Sequence, residues 1–265
     1  MVISISIKNG LSKKYELSII IPTYKEELRI ERCIEESLSY FQNNKNIKNF
    51  EIIFVADNTG DKTIPIIEHY KKKHQEIKLI VNKHREKKGG SVKIGMLSAK
   101  YNIIMFYDVD LSTPLYEVDG FLKYIDKYDI LVASRGMKGS KVKKQAFKNL
   151  LSLGFSLLKR VLFSIRIQDT QCGFKMFNRN TLVLFEKQTI KSSYFDLEIL
   201  YLAEKMHFRV KELPVTWIDS DMSNFNWYKL IFEAVRELYA IKKNYITGKY
   251  DLKKYLEKNK YKKYK

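Results

Sequence analysis

The stretch N-I-I-M-F-Y-D-V-D-L-S-T-P, residues 102–114, contains five consecutive apolar residues and then ends abruptly in two carboxylates. An apolar run without alternation is typical of a strand that is buried on both faces of a parallel sheet. Pro114 suits the first turn of a following helix. The stretch therefore predicts a buried strand, an acidic loop and a helix in succession.

The same succession repeats through the first half of the chain. Further strands are predicted for the apolar runs at 17–21, 50–55, 77–81 and 129–134. Helices are predicted for the longer segments at 26–42, 62–74, 91–100 and 114–127. This alternation predicts a doubly wound α/β sheet, mostly parallel and flanked by helices.

The second half is less regular and predicts a C-terminal helical and basic elaboration. In chain order it contains an amphipathic helix at about 146–165, a polar turn D-T-Q-C-G, a helix near 194–206, a strand pair around 209–217 and a long helix at 226–244. No internal repeat and no Pro/Gly linker interrupts it. We therefore expect one domain, residues 1–244, followed by a Lys/Tyr-rich basic tail, residues 245–265.

The charge of the chain is strongly basic and unevenly distributed. Its 265 residues include 49 Lys and Arg against 30 Asp and Glu, a formal net charge of +19. The excess lies in residues 71–93, 135–148 and 242–265, which favours an anionic partner such as a nucleotide, a phosphorylated substrate, an acidic membrane or a nucleic acid. The 45% hydrophobic content excludes a disordered chain.

Three observations bear on the cellular compartment. No segment reaches the roughly 18 uninterrupted apolar residues that a membrane span needs, and the N-terminal residues do not have the pattern of a secretory signal. Cys33 and Cys172 are too far apart in the sequence to indicate a disulfide framework or a metal site. We therefore expect a cytosolic protein that at most lies on a membrane surface.

Polar residues follow each predicted strand, and ligands of open parallel sheets bind beyond the carboxyl ends of the strands. The set comprises Pro22, Thr23, Tyr24, Glu26, Asp57, Asn58, residues 82–90, Asp108, Asp110 and Arg135. An aromatic ring, carboxylates, a basic Gly-containing loop and an arginine together suit a nucleotide held with a divalent metal.

Asp108 and Asp110 are the most informative of these residues. Two carboxylates at positions i and i+2 after a strand can both turn toward one cation, and oxygen ligands suit Mg²⁺ or Mn²⁺. A solvated acidic loop is the alternative interpretation.

The segment from Lys87 to Ser91 opens a predicted helix. Its glycines allow a phosphate to approach the backbone, the helix N-terminus offers free N–H groups, and Lys88 adds positive charge. The Walker and G-x-G-x-x-G spacings are both absent, so a simple turn is the alternative.

Two further residues also allow two interpretations. Asp57 can accept hydrogen bonds from a base or ribose, or can be a turn residue or helix cap within D-N-T-G-D-K-T, residues 57–63. Tyr24 can stack on a base, or can pack at the edge of the sheet.

Eight motifs occur in a characteristic order: PTYKEE (22–27), a carboxylate after the second strand, KKGGSVKIGM (87–96), DVDLSTP (108–114), ASR (133–135), DTQCGFK (169–175), FDLEIL (195–200) and LPVTW (213–217). Together they resemble the inverting family-two glycosyltransferases of GT-A fold. More narrowly, they are similar to the dolichyl-phosphate β-glucosyltransferases and related enzymes that make polyprenyl-phosphate sugars. The resemblance runs from about residue 17 to residue 248.

The resemblance implies an inverting transfer of glucose from UDP-glucose to a polyisoprenyl (dolichyl) phosphate, with Mg²⁺ or Mn²⁺. By this analogy the donor nucleotide sugar is bound by Pro22, Tyr24, Glu26, Asp57, Lys88, Gly89, Asp108 and Gln171. Asp108 and Asp110 would hold the metal. The acceptor phosphate would meet Arg135, Lys144 and Lys148. The catalytic candidates are Asp169 and Arg135, with Asp169 either a base or a residue that orients the sugar or Arg135.

The chain departs from the family pattern in three places. Ala56 stands where many members have a first aspartate, so the base and ribose contacts rest on Asp57. Lys144 and Lys148 replace the forked guanidinium of arginine with a point charge, which weakens bidentate phosphate recognition. The eukaryotic enzymes also carry an N-terminal membrane span, which is not expected here.

We therefore expect the 146–165 helix and the basic tail to bind an acidic membrane surface peripherally. A core helix and a solvated tail are the alternative.

Other functions compete with this interpretation. A related enzyme can use another donor, such as GDP-mannose, or a glycan hydroxyl acceptor, which needs a true base. A nucleic-acid-binding protein is favoured by the charge and by the tyrosines of the tail, but that interpretation leaves the DVD and DTQCG segments unexplained. We therefore expect no nucleic-acid partner.

Overall fold

The computed structural model describes residues 13–143, 165–218 and 227–252, together with residues 255 and 257. Lys144, Lys148 and the predicted helix at 146–165 lie outside the described residues, apart from the last residue of that helix. Most of the basic tail lies outside them as well.

The strands of the described residues are, in chain order, β1 (Tyr15–Thr23), β2 (Ile47–Asp57), β3 (Ile77–Asn82), β4 (Ile103–Tyr107), β5 (Ile130–Ser134), β6 (Lys141–Lys143), β7 (Phe174–Asn178), β8 (Val210–Pro214) and β9 (Thr216–Ile218). The main sheet has the order β3-β2-β1-β4-β7-β5-β8. Its neighbours pair in parallel except for β7, which runs antiparallel to both β4 and β5. Strands β6 and β9 pair in parallel in a second, small sheet.

The helices of the described residues are α1 (Ile30–Asn43), α2 (Thr63–Lys71), α3 (Lys87–Ser98), α4 (Glu117–Leu122), α5 (Leu182–Lys187), α6 (Phe195–Lys205) and α7 (Trp227–Ile246). A short 3-10 helix, Arg179–Thr181, precedes α5. No helix of the described part of the chain combines the length and apolar character needed to cross a bilayer.

Helices cover both faces of the main sheet. Ile19 and Ile21 of β1 belong to a core with α1, α2 and α4, whereas Ile20 between them belongs to a second core with α3, α5, α6 and α7. Successive side chains of a strand point to opposite faces, so a strand covered on both faces favours apolar residues at consecutive positions. This burial explains the uninterrupted apolar runs of the sequence, and the predicted class, a mostly parallel α/β sheet flanked by helices, is confirmed.

Two strand predictions are wrong in detail. The run at 77–81 forms β3, which lies at the edge of the sheet and pairs only with β2 in the described residues, so Val81 is 43% exposed rather than buried. The two strands around 209–217 do not pair with each other. Because the chain changes direction at Val215, β8 joins β5 in the main sheet and β9 joins β6.

The antiparallel strand β7 was not predicted. It separates β4 from β5, with Tyr107 opposite Phe174 and Lys175 opposite both Phe106 and Val132. Because β7 runs in the opposite direction, the loop before it reaches the same edge of the sheet as the carboxyl ends of β4 and β5. This loop, residues 169–173, is called the site loop below.

The packed structure continues beyond residue 244. Helix α7 ends at Ile246, and Tyr250 is buried in the second core. The Tyr250 hydroxyl donates a hydrogen bond of 2.7 Å to the carboxylate of Glu198 in α6. The tail is therefore anchored to the domain over its first residues.

Candidate active site

Three carboxylates lie near one another at the ends of β1 and β4. Burial raises the pKa of Glu26, whereas Arg29 lowers it through its charge and a hydrogen bond of 2.8 Å. The negative charges of Asp110 and Asp108 are close enough to raise the pKa of Glu26 as well. Asp108 and Asp110 also line one cleft together with Gly173. The strand-end pattern therefore does bring these acidic residues together.

Lys88 of α3 contacts the first of these aspartates. Its Nζ lies 2.6 Å from Oδ1 and 2.8 Å from Oδ2 of Asp108. Burial opposes the charge of Lys88, but Asp108 and Asp196 outweigh burial and raise the pKa of the ammonium. Lys88 is therefore a cation at neutral pH, held at the end of β4.

Glycine at position 173 leaves room for the Asp108 side chain. A Cβ at Gly173 would lie 2.7 Å from Cγ of Asp108 and closer still to Oδ2. No larger residue fits there unless Asp108 moves. The site loop and the acidic loop are thus packed directly against each other.

Arg135 and Asp169 form a bidentate ion pair between the end of β5 and the site loop. Arg135 Nε donates to Oδ2 at 2.7 Å and its NH2 group to Oδ1 at 2.9 Å, while the Arg135 amide also donates to Oδ2 at 3.0 Å. The guanidinium lies 5.3 Å from the ring centroid of Trp217. The pair is mostly buried, so the orientation of Arg135 is fixed from two sides.

The pair keeps Asp169 ionised. Burial alone raises the pKa of Asp169, but the hydrogen bonds and charge of Arg135 outweigh burial and lower it to about 2. A carboxylate with so low a pKa is a weak base. Of the two interpretations left open by the sequence, this geometry favours the one in which Asp169 orients Arg135.

The backbone of the site loop is held by Glu212 of β8. The amides of Gln168 and Asp169 donate to its two carboxylate oxygens at 3.0 Å each, and the Gln171 amide donates to Asp169 at 3.2 Å. The side-chain nitrogen of Gln171 is buried and has no hydrogen-bond partner among the described residues. A buried amide donor without a partner is costly, which points to a ligand acceptor at this position.

Asp57 is committed to the start of α3. Its carboxylate accepts from the Asn82 side chain at 2.8 Å and from the amides of Glu86 and Lys87 at 3.0 and 3.1 Å. A carboxylate at free helix N–H groups is favourable for both hydrogen-bonding and dipole reasons. These contacts explain why α3 begins at Lys87, earlier than predicted. Asp57 thus caps α3, and not the helix after D-N-T-G-D-K-T for which a cap was expected. Nucleotide binding by Asp57 stays a prediction.

Tyr24 and Pro22 lie at the end of β1. Tyr24 is 39% exposed, and the Arg85 guanidinium lies 4.3 Å from its ring centroid. Pro22 pairs with Val55 inside the sheet. The Tyr24 ring is available at the surface beside a cation, an arrangement that suits a base and a phosphate.

Gly89 has a packing role that the sequence did not reveal. A Cβ at this position would lie 2.7 Å from Cβ of Phe195, and the Gly89 amide donates to the carbonyl of Lys191 at 2.8 Å. Because this amide already has an acceptor, the close approach that requires glycine is to the segment before α6. Contact of Gly89 with the donor stays a prediction.

Residues 18–184 match the model of Glycosyl transferase family 2. The chain belongs to this family. A dolichyl-phosphate beta-glucosyltransferase of Drosophila melanogaster is 33% identical over 253 residues, which cover 89% of this chain and 77% of the relative. Another of the same name, from Dictyostelium discoideum, is 30% identical over 260 residues, covering 93% and 79%. The protein is therefore a glycosyltransferase.

Solved structures of glycosyltransferases share its fold. Glucosyl-3-phosphoglycerate synthase from Mycobacterium tuberculosis, in complex with Mn²⁺, UDP-glucose and phosphoglyceric acid, aligns with a TM-score of 0.61 at 12% identity over 86% of this chain and 78% of that one. A mannosyltransferase from Pyrobaculum calidifontis, with GDP-Man and Mn²⁺, aligns with a TM-score of 0.56 at 15% identity over 87% and 64%. The GT-A fold implied by the sequence motifs is confirmed.

The acidic loop of this transferase fits a divalent cation bound by few protein ligands. No group of three or more His, Cys, Asp or Glu side chains in the described part of the chain is arranged as a complete metal site. Mg²⁺, however, commonly takes only one or two carboxylates and completes its shell with water and substrate phosphates. Asp108 and Asp110 line one cleft, and the absence of a side chain at Gly173 makes room for the Asp108 carboxylate there, which matches this requirement.

Several site-building residues of the transferase were missed at the level of sequence. Lys175 and Asp196 form a buried ion pair, and Glu198 accepts hydrogen bonds from Thr189, Ile190 and Tyr250. Both acidic residues lie in the quoted F-D-L-E-I-L motif. Because buried charges must be paired, charged residues inside so apolar a motif are a signal that could have identified Asp196 and Glu198, though not their partners.

Proposed function

We propose that the protein transfers glucose from UDP-glucose to a polyisoprenyl phosphate of the dolichyl type, with inversion at the anomeric carbon. The observation that supports this proposal most strongly is the bidentate ion pair between Asp169 and Arg135. A guanidinium has five N–H donors, and two of them are used by Asp169. The remaining donors suit an acceptor phosphate, and the names of the relatives support that acceptor.

The acceptor chemistry agrees with the low pKa of Asp169. A hydroxyl acceptor needs a base near the operating pH, whereas a phosphate is already an anion. A phosphate oxygen attacks the anomeric carbon, a bond to that carbon forms, and the bond to the departing diphosphate oxygen breaks. No proton has to be removed, so Arg135 contributes chiefly by holding the nucleophile in line.

Lys88 and Gln171 serve the donor in this proposal. The Lys88 ammonium hydrogen-bonds the diphosphate as negative charge develops on it, an electrostatic contribution that is often the largest in catalysis. The buried Gln171 amide donates to a hydroxyl of the transferred sugar. Tyr24 and Asp57 lie at the nucleotide end, with Pro22 and Glu26 beside them.

Asp108 and Asp110 would hold Mg²⁺ or Mn²⁺. The metal, when bound, neutralises charge on the diphosphate. Because Lys88 now contacts Asp108, donor binding is expected to transfer the ammonium from the carboxylate to a phosphate oxygen.

The proposed acceptor is a lipid, so we also propose peripheral binding to the cytosolic face of a membrane. Three large apolar side chains at positions i, i+7 and i+14 of α7 are exposed by about 70%: Phe232 (70%), Tyr239 (67%) and Ile246 (72%). Each Lys or Arg near an anionic surface contributes about 1 kcal/mol, and the basic tail follows α7 directly.

Sedimentation of the protein with acidic liposomes is expected at low salt and is expected to fall as salt is added. No sedimentation at low salt would reject the membrane part of the proposal.

The proposed reaction is tested by identifying a lipid product. The protein is incubated with Mg²⁺ or Mn²⁺, a polyisoprenyl phosphate and a panel of nucleotide sugars that includes UDP-glucose and GDP-mannose. Mass spectrometry is expected to show a hexosyl phosphate lipid with UDP-glucose above all. Transfer only from GDP-mannose, or only to a glycan hydroxyl, would reject the proposed donor or acceptor.

A further inference from the structure

Lys175 and Asp196 form an ion pair at the centre of the molecule. Lys175 Nζ lies 2.6 Å from Oδ1 of Asp196, and the two side chains are 1% and 2% exposed. Lys175 belongs to β7 and Asp196 to the first turn of α6. Apolar residues of similar volume commonly replace a buried ion pair without loss of stability, so stability alone does not explain two charges here.

A second contact of Lys175 links the pair to the active site. Its Nζ also donates to the backbone carbonyl of Cys172 at 2.5 Å. Cys172 belongs to the site loop, next to Gln171 and Gly173. Only a donor can hold a carbonyl in this way, and Asp196 fixes the direction in which the ammonium points.

The site loop tolerates little displacement. On one side, Gly173 has no room for a Cβ beside Asp108. On the other side, Asp169 is bonded to Arg135 and its amide to Glu212. A shift at Cys172 therefore moves Gln171 relative to the groups that bind the metal and the acceptor, and a misplacement of about 1 Å costs about 100-fold in rate.

We propose that Lys175 and Asp196 are a positioning pair, in which Asp196 directs the Lys175 ammonium onto the Cys172 carbonyl and so sets Gln171 against the transferred sugar. Neither residue touches a substrate. The inference rests on the glycosyl transfer proposed above, but it concerns the chain's own loop and holds for any sugar that Gln171 contacts.

The test replaces the whole pair, because a single substitution leaves one buried charge unpaired and destabilises strongly. In Lys175→Met/Asp196→Leu, the thermal unfolding midpoint is expected to stay near that of the wild type. The kcat is expected to fall about 100-fold with little change in KM for the nucleotide sugar. Wild-type kcat in this variant would overturn the proposal. Loss of the folded state would assign the pair to stability and would overturn it as well.

A mutant cycle with Gln171→Ala separates positioning from a merely structural role. If the pair acts through Gln171, adding Gln171→Ala to the double variant is expected to lower kcat by less than about twofold further, because coupled residues are not additive. Losses that multiply would overturn the proposal.

A second ion pair, more exposed and remote from the site loop, provides the control. Arg209 and Asp129, whose Nε and Oδ2 lie 3.1 Å apart, are at the opposite end of β5. The variant Arg209→Met/Asp129→Asn is expected to keep wild-type kcat. All variants are assayed with the sugar and acceptor that the wild type uses, so rejection of UDP-glucose as donor is distinguishable from rejection of the positioning pair.

Discussion

The two halves of the candidate site hold their aspartates differently, although Glu26 of the first half also pairs with an arginine, Arg29. In the first half, formed by β1 to β3, the carboxylate of Asp57 is satisfied by an asparagine side chain and two backbone amides. In the second half, around β4, β7 and β5, Asp108, Asp169 and Asp196 each contact a cationic side chain.

This difference distinguishes residues that stabilise the fold from residues that can take part in the reaction. Backbone amides cannot leave their carboxylate without breaking a helix start, whereas a lysine or arginine can exchange a carboxylate for an incoming phosphate. Changes in the second half should therefore affect turnover first, and changes in the first half should affect stability first. Four substitutions test this comparison.

Asp110→Ala should have the largest effect on turnover. It removes one of two proposed metal ligands, and loss of an electrostatic group at the developing charge costs about 10²- to 10³-fold in kcat. Activity is measured across a titration of Mg²⁺ and Mn²⁺, with the exposed Glu36→Ala as the control that stays at wild-type level. Full activity that EDTA still abolishes would refute the role of Asp110.

Asp169→Asn should lower kcat about 10- to 100-fold, because Arg135 loses its bidentate partner. The pH dependence of kcat should stay the same between pH 6 and 8. A loss of several orders of magnitude, with disappearance of an acidic limb in the pH profile, would instead identify Asp169 as a base.

The same variant should alter acid stability in a defined direction. The pKa of Asp169 is lowered to about 2 in the folded protein, so its stabilisation is present above about pH 4 and is lost as the pH falls toward 2. The free energy of unfolding of the wild type should fall by about 2 kcal/mol more than that of Asp169→Asn over this range. Equal acid sensitivity of the two proteins would contradict the ion-pair account.

Asp57→Ala should act mainly on stability. It leaves the amides of Glu86 and Lys87 without their acceptor, and loss of a helix cap costs about 1 kcal/mol. Donor kcat/KM should fall about tenfold or less. The free energy of unfolding of Asp57→Ala is compared with that of Glu36→Ala by denaturant unfolding. If Asp57→Ala instead lost as much activity as Asp110→Ala without a change in stability, the assignment of the two halves would be reversed.

Tyr250→Phe should have the smallest effect. It removes the 2.7 Å hydrogen bond to Glu198, worth about 1 kcal/mol, and lies outside both halves of the site. The unfolding midpoint should fall slightly while kcat stays unchanged. Tyr116→Phe at an exposed position is the control, and a severalfold change in kcat for Tyr250→Phe would show that the C-terminal segment acts on catalysis.

The sequence predicted the first half of the fold better than the second. Strands β1, β2 and β4 have continuous apolar runs because they are covered on both faces, and that signal is local. Strand β7 is short and contains Lys175, whose burial is possible only because Asp196 arrives from α6. No pattern within F-K-M-F-N reveals a partner so distant in the chain.

The site residues were also predicted only in part from the sequence. The rule that ligands bind at the carboxyl ends of parallel strands placed Asp57, Asp108, Asp110 and Arg135 at one edge of the sheet. It did not reveal that Asp57 caps α3, or that Glu212 holds the site loop. Those contacts depend on which strands become neighbours, and that is decided by the packing of the whole sheet.

In the proposed reaction, Arg135, held by Asp169, receives an acceptor that is already an anion. The most direct measurement compares the wild-type protein on a polyisoprenyl phosphate and on the corresponding polyisoprenol, with the same nucleotide sugar, from pH 6 to 8. Transfer to the phosphate is expected at a rate nearly independent of pH, with no detectable transfer to the alcohol. Comparable transfer to the alcohol, rising with pH as a base is deprotonated, would contradict the proposed reaction.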